Sequence, residues 1–133
     1  MTQLSKIETV FVATDFSKTA DTAIEWAARL ARAHRSRIVL YHGVRAPAPP
    51  VLSPAHAFSS DGAFENDCAN AHERLRRTAE SLRRRGLRAE IDVQVDLGAN
   101  TILSRADAAE ADLIIAGTRR PSVKKSILGS TAT

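Results

Sequence analysis

Hydrophobic and polar positions follow two different periods along the chain, and these periods predict four strands and three helices. Short apolar runs have the length and composition of buried strands, and they lie at 10–13, 38–41 and 113–116. At 91–95 every second residue is apolar, which predicts a half-exposed strand at a sheet edge. Apolar residues that recur every three or four positions predict amphipathic helices, at 20–31, 64–82 and 99–106.

Residues at the ends of the first two helices support these boundaries. Ser17 stands where a side-chain oxygen can cap the first helix, and Asp21 falls in its first turn, where the helix dipole favours a negative charge. The second helix ends in the basic run 83–85 and is followed by Gly86, a residue typical of the position after a helix. Both helices are therefore predicted with defined ends.

The elements follow the order β-α-β-loop-α-β-α-β, which predicts a single α/β domain over residues 1–133. Right-handed crossovers between parallel strands place helices on both faces of an open, mainly parallel, twisted sheet. The loop at 45–60 contains four of the chain's five prolines, a density that no helix or central strand tolerates. Ligands bind to such sheets beyond the carboxyl ends of the strands. The site is therefore expected in the segments after the first and fourth strands, 15–17 and 117–130.

The composition excludes several other classes of protein. The 133 residues are 44% hydrophobic and 26% charged, as in an average globular domain. No apolar run approaches the roughly 20 residues that span a bilayer, and the N-terminus lacks the apolar core of a secretory signal. A cytoplasmic protein without membrane contact is therefore expected. Cys68 is the single cysteine, which excludes an intrachain disulfide, and its place in the apolar stripe of the second helix predicts a buried side chain.

The net charge is +4, and the basic residues form three clusters, at 29–37, 74–88 and 119–125. The first two clusters lie on helix faces or at helix ends. Basic residues in these places are most often solvated, and at the C-terminal end they interact favourably with the helix dipole. Nucleic acid is not favoured as a partner, because an aromatic platform that would grip a single strand is missing; the arginines of the second helix leave a nucleic-acid-associated protein as a third interpretation. Trp26 is expected to pack at the helix–sheet boundary. The third cluster lies in a loop with two glycines and several hydroxyl groups. This loop has two possible interpretations, an anion-binding site or a solvated basic loop.

No arrangement of residues predicts catalysis or a metal site. The four histidines are not at metal-ligand spacing from one another, and no Ser-His-Asp pattern is visible. His42 lies at a strand end and faces the predicted site, where a structural role is expected.

Three segments together carry a resemblance to a known family. They are Thr14-Asp15-Phe16-Ser17 after the first strand, Tyr41-His42-Gly43-Val44 after the second, and Gly117 leading to Gly129-Ser130 after the fourth. This combination resembles the universal stress protein family, and the resemblance extends from Val10 to Ser130. It implies a sheet of order 3-2-1-4-5 and, commonly, a homodimer.

One branch of that family binds ATP, which implies a nucleotide site for this chain. The nucleoside would contact Thr14, Asp15 and either Gly43 or Val44; the alternative for Asp15 is a turn aspartate that caps the first helix. The phosphates, with or without Mg²⁺, would lie against the family motif Gly-x2-Gly-x9-Gly-Ser/Thr, here represented by Gly117, Arg119, Arg120, Gly129 and Ser130. Arg120 replaces the second glycine of the motif, and the following spacer is one residue short. Slow ATP hydrolysis is the most that the resemblance implies for catalysis.

The other branch does not bind ATP, and it implies a dimerisation or partner-interaction module of the same fold. The chain ends at Thr133, soon after the motif, so the fifth strand of the family is expected to be missing and the chain to be truncated at its C-terminus. The strand order would then be 3-2-1-4, and the apolar fourth strand would form a bare edge.

Overall fold

The computed structural model describes residues 6–46 and 62–117, which form four strands and three helices. Along the chain these are β1 (Thr9–Ala13), α1 (Lys18–His34), β2 (Arg37–Arg45), α2 (Ala63–Arg84), β3 (Arg88–Asp96), α3 (Ala99–Ala108) and β4 (Leu113–Ala116). All strand pairs are parallel, and the sheet has the order β3-β2-β1-β4. The predicted fold class is confirmed. Most of the predicted proline-rich loop and almost all of 117–130 lie outside the described residues.

The two faces of the sheet form two separate hydrophobic clusters, because successive strand residues point to opposite sides. On one face α1 and α2 pack against Val10, Val12, Ile38 and Leu40, which are all fully buried. Alanines dominate the buried stripe of α1 and allow this helix to approach the sheet closely; they are Ala20, Ala23, Ala27, Ala28 and Ala31.

On the other face α3 covers a smaller cluster. Phe11 and Tyr41 stack there with ring centroids 5.4 Å apart, and Ala106 of α3 packs against them. Helices therefore lie on both faces, as predicted.

The two edges of the sheet differ in chemistry. β3 forms one edge, as its alternating pattern predicted, and on the α3 face it presents Glu90, Asp92, Gln94 and Asp96. β4 forms the other edge in the described part of the chain and carries no charged residue. Ile114 of β4 is 39% exposed.

The predicted helix ends are confirmed. The Ser17 side chain accepts a hydrogen bond of 3.1 Å from the backbone N–H of Ala20, and Asp21 lies in the first turn of α1. Gly86 follows α2 with a φ of +87°, a conformation that glycine adopts without a steric cost.

Three local predictions are wrong. Trp26 is 56% exposed rather than packed at the helix–sheet boundary, because it lies off the alanine stripe that faces the sheet. Cys68 is half-buried, since the buried residues of α2 begin only at Ala71. β2 continues to Arg45 rather than ending at Tyr41, because β3 pairs with it along its whole length. The described helices were also compared with the requirements of a membrane span, and none of them is long and apolar enough to cross a membrane.

Tyr41 provides a test of the cluster under α3. Its hydroxyl is buried without a hydrogen-bond partner among the described residues. Burial raises the pKa of Tyr41, and the carboxylates of Asp96 and Asp92 raise it further. Tyr41 is the only tyrosine, so its ultraviolet absorbance should titrate above pH 10 in the native protein and near pH 10 in urea.

The same shift predicts how stability depends on pH. The raised pKa of Tyr41 leaves stability intact below about pH 10, the range of the unfolded phenol, and lowers it as the pH rises through the folded value. In Tyr41→Phe the absorbance change should vanish and alkaline destabilisation should weaken. A native midpoint at or below pH 10 would show that Tyr41 is solvated.

Candidate functional site

The candidate site lies at the carboxyl ends of β1, β2 and β4, which adjoin one another in the sheet. The turn after β1 is built around Thr14, which is 6% exposed. Its N–H donates to the carbonyl of Tyr41 at 2.9 Å, and its Oγ1 accepts from the N–H of Phe16 at 2.9 Å. Thr14 therefore shapes the turn and joins it to β2.

Asp15 is exposed at the same turn, directly before α1. Its Oδ1 accepts a hydrogen bond of 2.9 Å from the N–H of Ser17, which is the cap of the helix. The carboxylate is thus fixed beside the helix N-terminus, where the dipole favours negative charge. Asp15 therefore stabilises the turn, while Ser17 rather than Asp15 caps the helix, and contact of Asp15 with a ligand stays a prediction.

Three stacked side chains hold the turn against α2. Phe16 has a φ of +67°, which is rare for a residue with a side chain. Its ring stacks on the His42 ring with centroids 4.3 Å apart. Arg74 of α2 also contacts this ring, because its guanidinium carbon lies 4.1 Å from the Phe16 ring centroid. His42 Nδ1 donates to the carbonyl of Thr14 at 2.8 Å, since a carbonyl can only accept. His42 has the structural role that was expected.

A pocket of about 310 Å³ opens beside this stack, between the end of β2 and the first half of α2. Its lining consists of Phe16, His42, Val44, Arg45, Asp67, Asn70, Ala71 and Arg74. The polar residues that α2 contributes were not predicted as site residues. Their only signal in the sequence was their position in a helix that follows β2.

Gly43 and Val44 lie on opposite faces of the sheet, so the structure separates two positions that the sequence left as alternatives. Val44 faces the pocket beside α2. Gly43 lies on the α3 face, where an added Cβ would lie 3.0 Å from Asp96 Cβ and 3.0 Å from the Tyr41 hydroxyl. A side chain at 43 would therefore compete with these neighbours.

Gly117 directly follows β4 and contacts the first turn of α1. A Cβ at this position would lie 2.5 Å from the carbonyl oxygen of Thr19 and 2.9 Å from the Cα of Ala20. Only a glycine allows the two backbones to approach so closely. The contact brings the start of the 117–130 segment next to the turn that carries Asp15.

The remaining predicted phosphate residues, Arg119, Arg120, Gly129 and Ser130, lie outside the described residues. Within 6–46 and 62–117, no group of three or more His, Cys, Asp or Glu side chains could hold a metal ion.

A pocket of about 350 Å³ between β3 and α3 is less suited to a charged ligand. Four of its five charged residues form pairs, since Arg37 bonds Glu90 at 2.8 Å and Arg105 bonds Asp92 at 2.9 Å, and the fifth, Glu110, is acidic.

Comparison with known proteins places the chain in a family. The sequence model of the universal stress protein family matches residues 6–133. The chain belongs to the universal stress protein family, as the three segments at the strand ends predicted. No curated protein sequence matches the chain.

Solved structures show the same fold. UspA from Lactobacillus plantarum is 20% identical with a TM-score of 0.72, and the match covers 91% of this chain and 86% of that chain. A universal stress family protein from Burkholderia pseudomallei is 26% identical with a TM-score of 0.66, covering 87% and 85%. The universal stress protein from Archaeoglobus fulgidus, solved in complex with dAMP, is 21% identical with a TM-score of 0.58, covering 83% and 80%.

Proposed function

We propose that this stress protein binds ATP or a related adenine nucleotide at the carboxyl ends of β1 and β4. The contact of Gly117 with the first turn of α1 carries the proposal, because it brings the segments after these two strands together. In a parallel sheet, ligands bind where the strand order reverses, and here that point lies between β1 and β4. The dAMP in the Archaeoglobus fulgidus structure supports the choice of an adenine nucleotide.

In the proposed complex the base and ribose lie near Asp15 and Val44, and the phosphates extend from Gly117 along the basic loop. The turn built by Thr14 and capped by Ser17 fixes Asp15 for a hydrogen bond to the ribose. Four cations in 119–125 supply the charge for the phosphates, with or without Mg²⁺. We also propose a cytoplasmic location, on the composition of the chain.

Titration with ATP, with and without Mg²⁺, tests this proposal. A charge-assisted hydrogen bond contributes about 1.5–3 kcal/mol, so Asp15→Ala should weaken binding roughly tenfold to a hundredfold. Asp15→Asn retains an acceptor for the Ser17 N–H and should isolate the loss of the charge. Asp21→Asn, a change of the same charge in the first turn of α1, is the matched control and should bind as wild type does.

Arg120→Gly distinguishes two ways in which the altered loop could hold phosphate. Binding should tighten if the arginine disturbs a backbone cradle, because glycine adopts positive φ readily. Binding should weaken if the guanidinium itself contacts phosphate. If wild type shows no binding at millimolar ATP and Arg120→Gly does not restore it, the nucleotide proposal fails.

The edge of the sheet favours a second candidate function, a homodimer or partner-interaction module. Within the described residues β4 pairs only with β1, and its exposed Ile114 adds apolar surface at that edge. Light scattering over a concentration series should show a dimer that Ile114→Lys weakens. Leu103→Lys, at an exposed leucine of α3, is the control and should leave the mass unchanged. A monomer at every concentration would contradict this proposal.

A further inference from the structure

The amino end of the sheet, opposite the candidate nucleotide site, carries a strip of exposed arginines between the C-terminal ends of α1 and α2. We call it the arginine strip, and its members are Arg29, Arg32, Arg35, Arg85 and Arg88. Two shallow pockets lie along it and share Arg32. The pocket of about 320 Å³ adds Arg35 and Arg88, and the pocket of about 270 Å³ adds Arg29 and Arg85.

Backbone carbonyls hold two of these guanidiniums in place without neutralising them. Arg32 donates to the carbonyl of Arg85 at 3.2 Å, and Arg88 donates to the carbonyl of Arg35 at 2.6 Å. Among the described residues, no carboxylate lines either pocket. Of the carboxylates in 6–46 and 62–117, Glu25 alone pairs with a member of the strip, and it bonds Arg85 at 3.0 Å.

The helix ends account for only part of this charge. Each helix C-terminus carries roughly half a negative charge, so two ends and Glu25 offset about two of the five positive charges. Arg76 and Arg77 in the middle of α2 differ, because carboxylates balance their charges. Arg76 and Arg77 donate hydrogen bonds to Glu73 and lower its pKa to about 2, and Arg76 also pairs with Glu80. The arginine strip therefore keeps about three uncompensated positive charges.

Trp26 extends the strip at the α1 end. Its side chain is 56% exposed, and the guanidinium carbon of Arg29 lies 5.5 Å from the ring centroid. The aromatic platform for a single strand was expected to be missing, and Trp26 was expected to pack at the helix–sheet boundary. Its exposure supplies that platform next to a track of cations.

We propose that the arginine strip and Trp26 bind single-stranded nucleic acid, with phosphates on the guanidiniums and a base stacked on the indole. From Trp26 to Arg35 the helix rises about 13 Å, enough for roughly three to four phosphates of one strand. Arginine matches phosphate geometry, and base–aromatic stacking tolerates any base. An anionic membrane fits less well, because no other large apolar side chain among the described residues is exposed next to the strip; Leu97 lies between β3 and α3, and Leu103 lies in α3. This site is separate from the proposed nucleotide site.

Trp26 is the only tryptophan, so its fluorescence reports directly on the proposed contact. Titration of the full chain with oligouridylate or oligothymidylate should quench Trp26. Apparent affinity should fall with salt with a log–log slope of about −2 to −3, the value for three to four phosphates of a single strand. Phosphatidylglycerol vesicles provide the comparison with a membrane surface.

Variants assign the binding to the strip, measured by anisotropy of a labelled oligonucleotide. Arg32→Gln should weaken binding and reduce the salt slope by about 0.7. Trp26→Leu should weaken binding roughly tenfold to a hundredfold, because stacking is lost. Arg77→Gln, on the charge-balanced part of α2, is the matched control and should change nothing. The proposal is overturned if the oligonucleotide does not bind at low salt, if Arg32→Gln and Trp26→Leu bind as wild type does, or if only vesicles change the Trp26 emission.

Discussion

Leu75→Ala is expected to lower the free energy of unfolding by about 2–5 kcal/mol, which is the range for removing a buried leucine side chain. Leu75 is fully buried where α2 packs against α1 and the sheet, and this cluster contains most of the described core. The cost combines lost transfer free energy with the cavity that the substitution leaves.

Leu103→Ala is the matched control for this prediction. The same chemical change at a leucine that is 58% exposed on α3 should stay within about 0.5 kcal/mol. Urea unfolding of both variants measures the difference. Equal stabilities for the two variants would show that α2 does not pack against the sheet as described.

Gly117→Ala is expected to lower the free energy of unfolding by about 2–3 kcal/mol, the upper part of the range for an overpacked site. The new Cβ would lie 2.5 Å from the carbonyl oxygen of Thr19, and the backbone of a helix turn cannot rotate away as a side chain can. The end of β4 must then move away from α1. The same displacement should weaken the proposed ATP binding, because it moves Gly117 away from the turn that carries Asp15.

Gly43→Ala is the comparison for Gly117→Ala. Its Cβ would meet the side chains of Asp96 and Tyr41 at 3.0 Å, and these can shift, so a cost of about 1 kcal/mol is expected. Urea unfolding again gives both values. If Gly117→Ala is no more destabilised than Gly43→Ala, β4 does not end against the first turn of α1.

The sequence predicted the fold well because its local signals agree with the tertiary packing. Alternating residues of β1 divide between two cores, and the alanine stripe of α1 faces the sheet, as periodicity indicates. The exceptions are positions where tertiary contacts decide. Because His42 is polar and Gly43 is a glycine, β2 was expected to end before them. Pairing with β3 extends β2 to Arg45 instead. Trp26 is apolar but lies off the stripe, which a hydrophobicity count does not detect.

Less of the candidate site could be predicted. The rule for parallel sheets predicts that the segments after β1 and β4 lie together, and the structure brings Gly117, the first residue after β4, against Thr19 and Ala20 of α1. The stack of His42, Phe16 and Arg74 could not be predicted, because it joins residues from three distant segments. The phosphate residues of the 119–130 segment stay a prediction.

The contact between Phe16 and Arg74 has a consequence for the order in which the chain folds. The two residues are 58 positions apart, and α2 is synthesised long after the turn that it supports. The positive φ of a non-glycine residue costs about 1–2 kcal/mol of conformational free energy. In a nascent chain that does not yet contain α2, only a minor fraction of molecules therefore has Phe16 in this conformation. We therefore expect the turn to reach its final conformation only when His42 and Arg74 pack against Phe16, whereas the hydrogen bond between Ser17 and Asp15 can form locally.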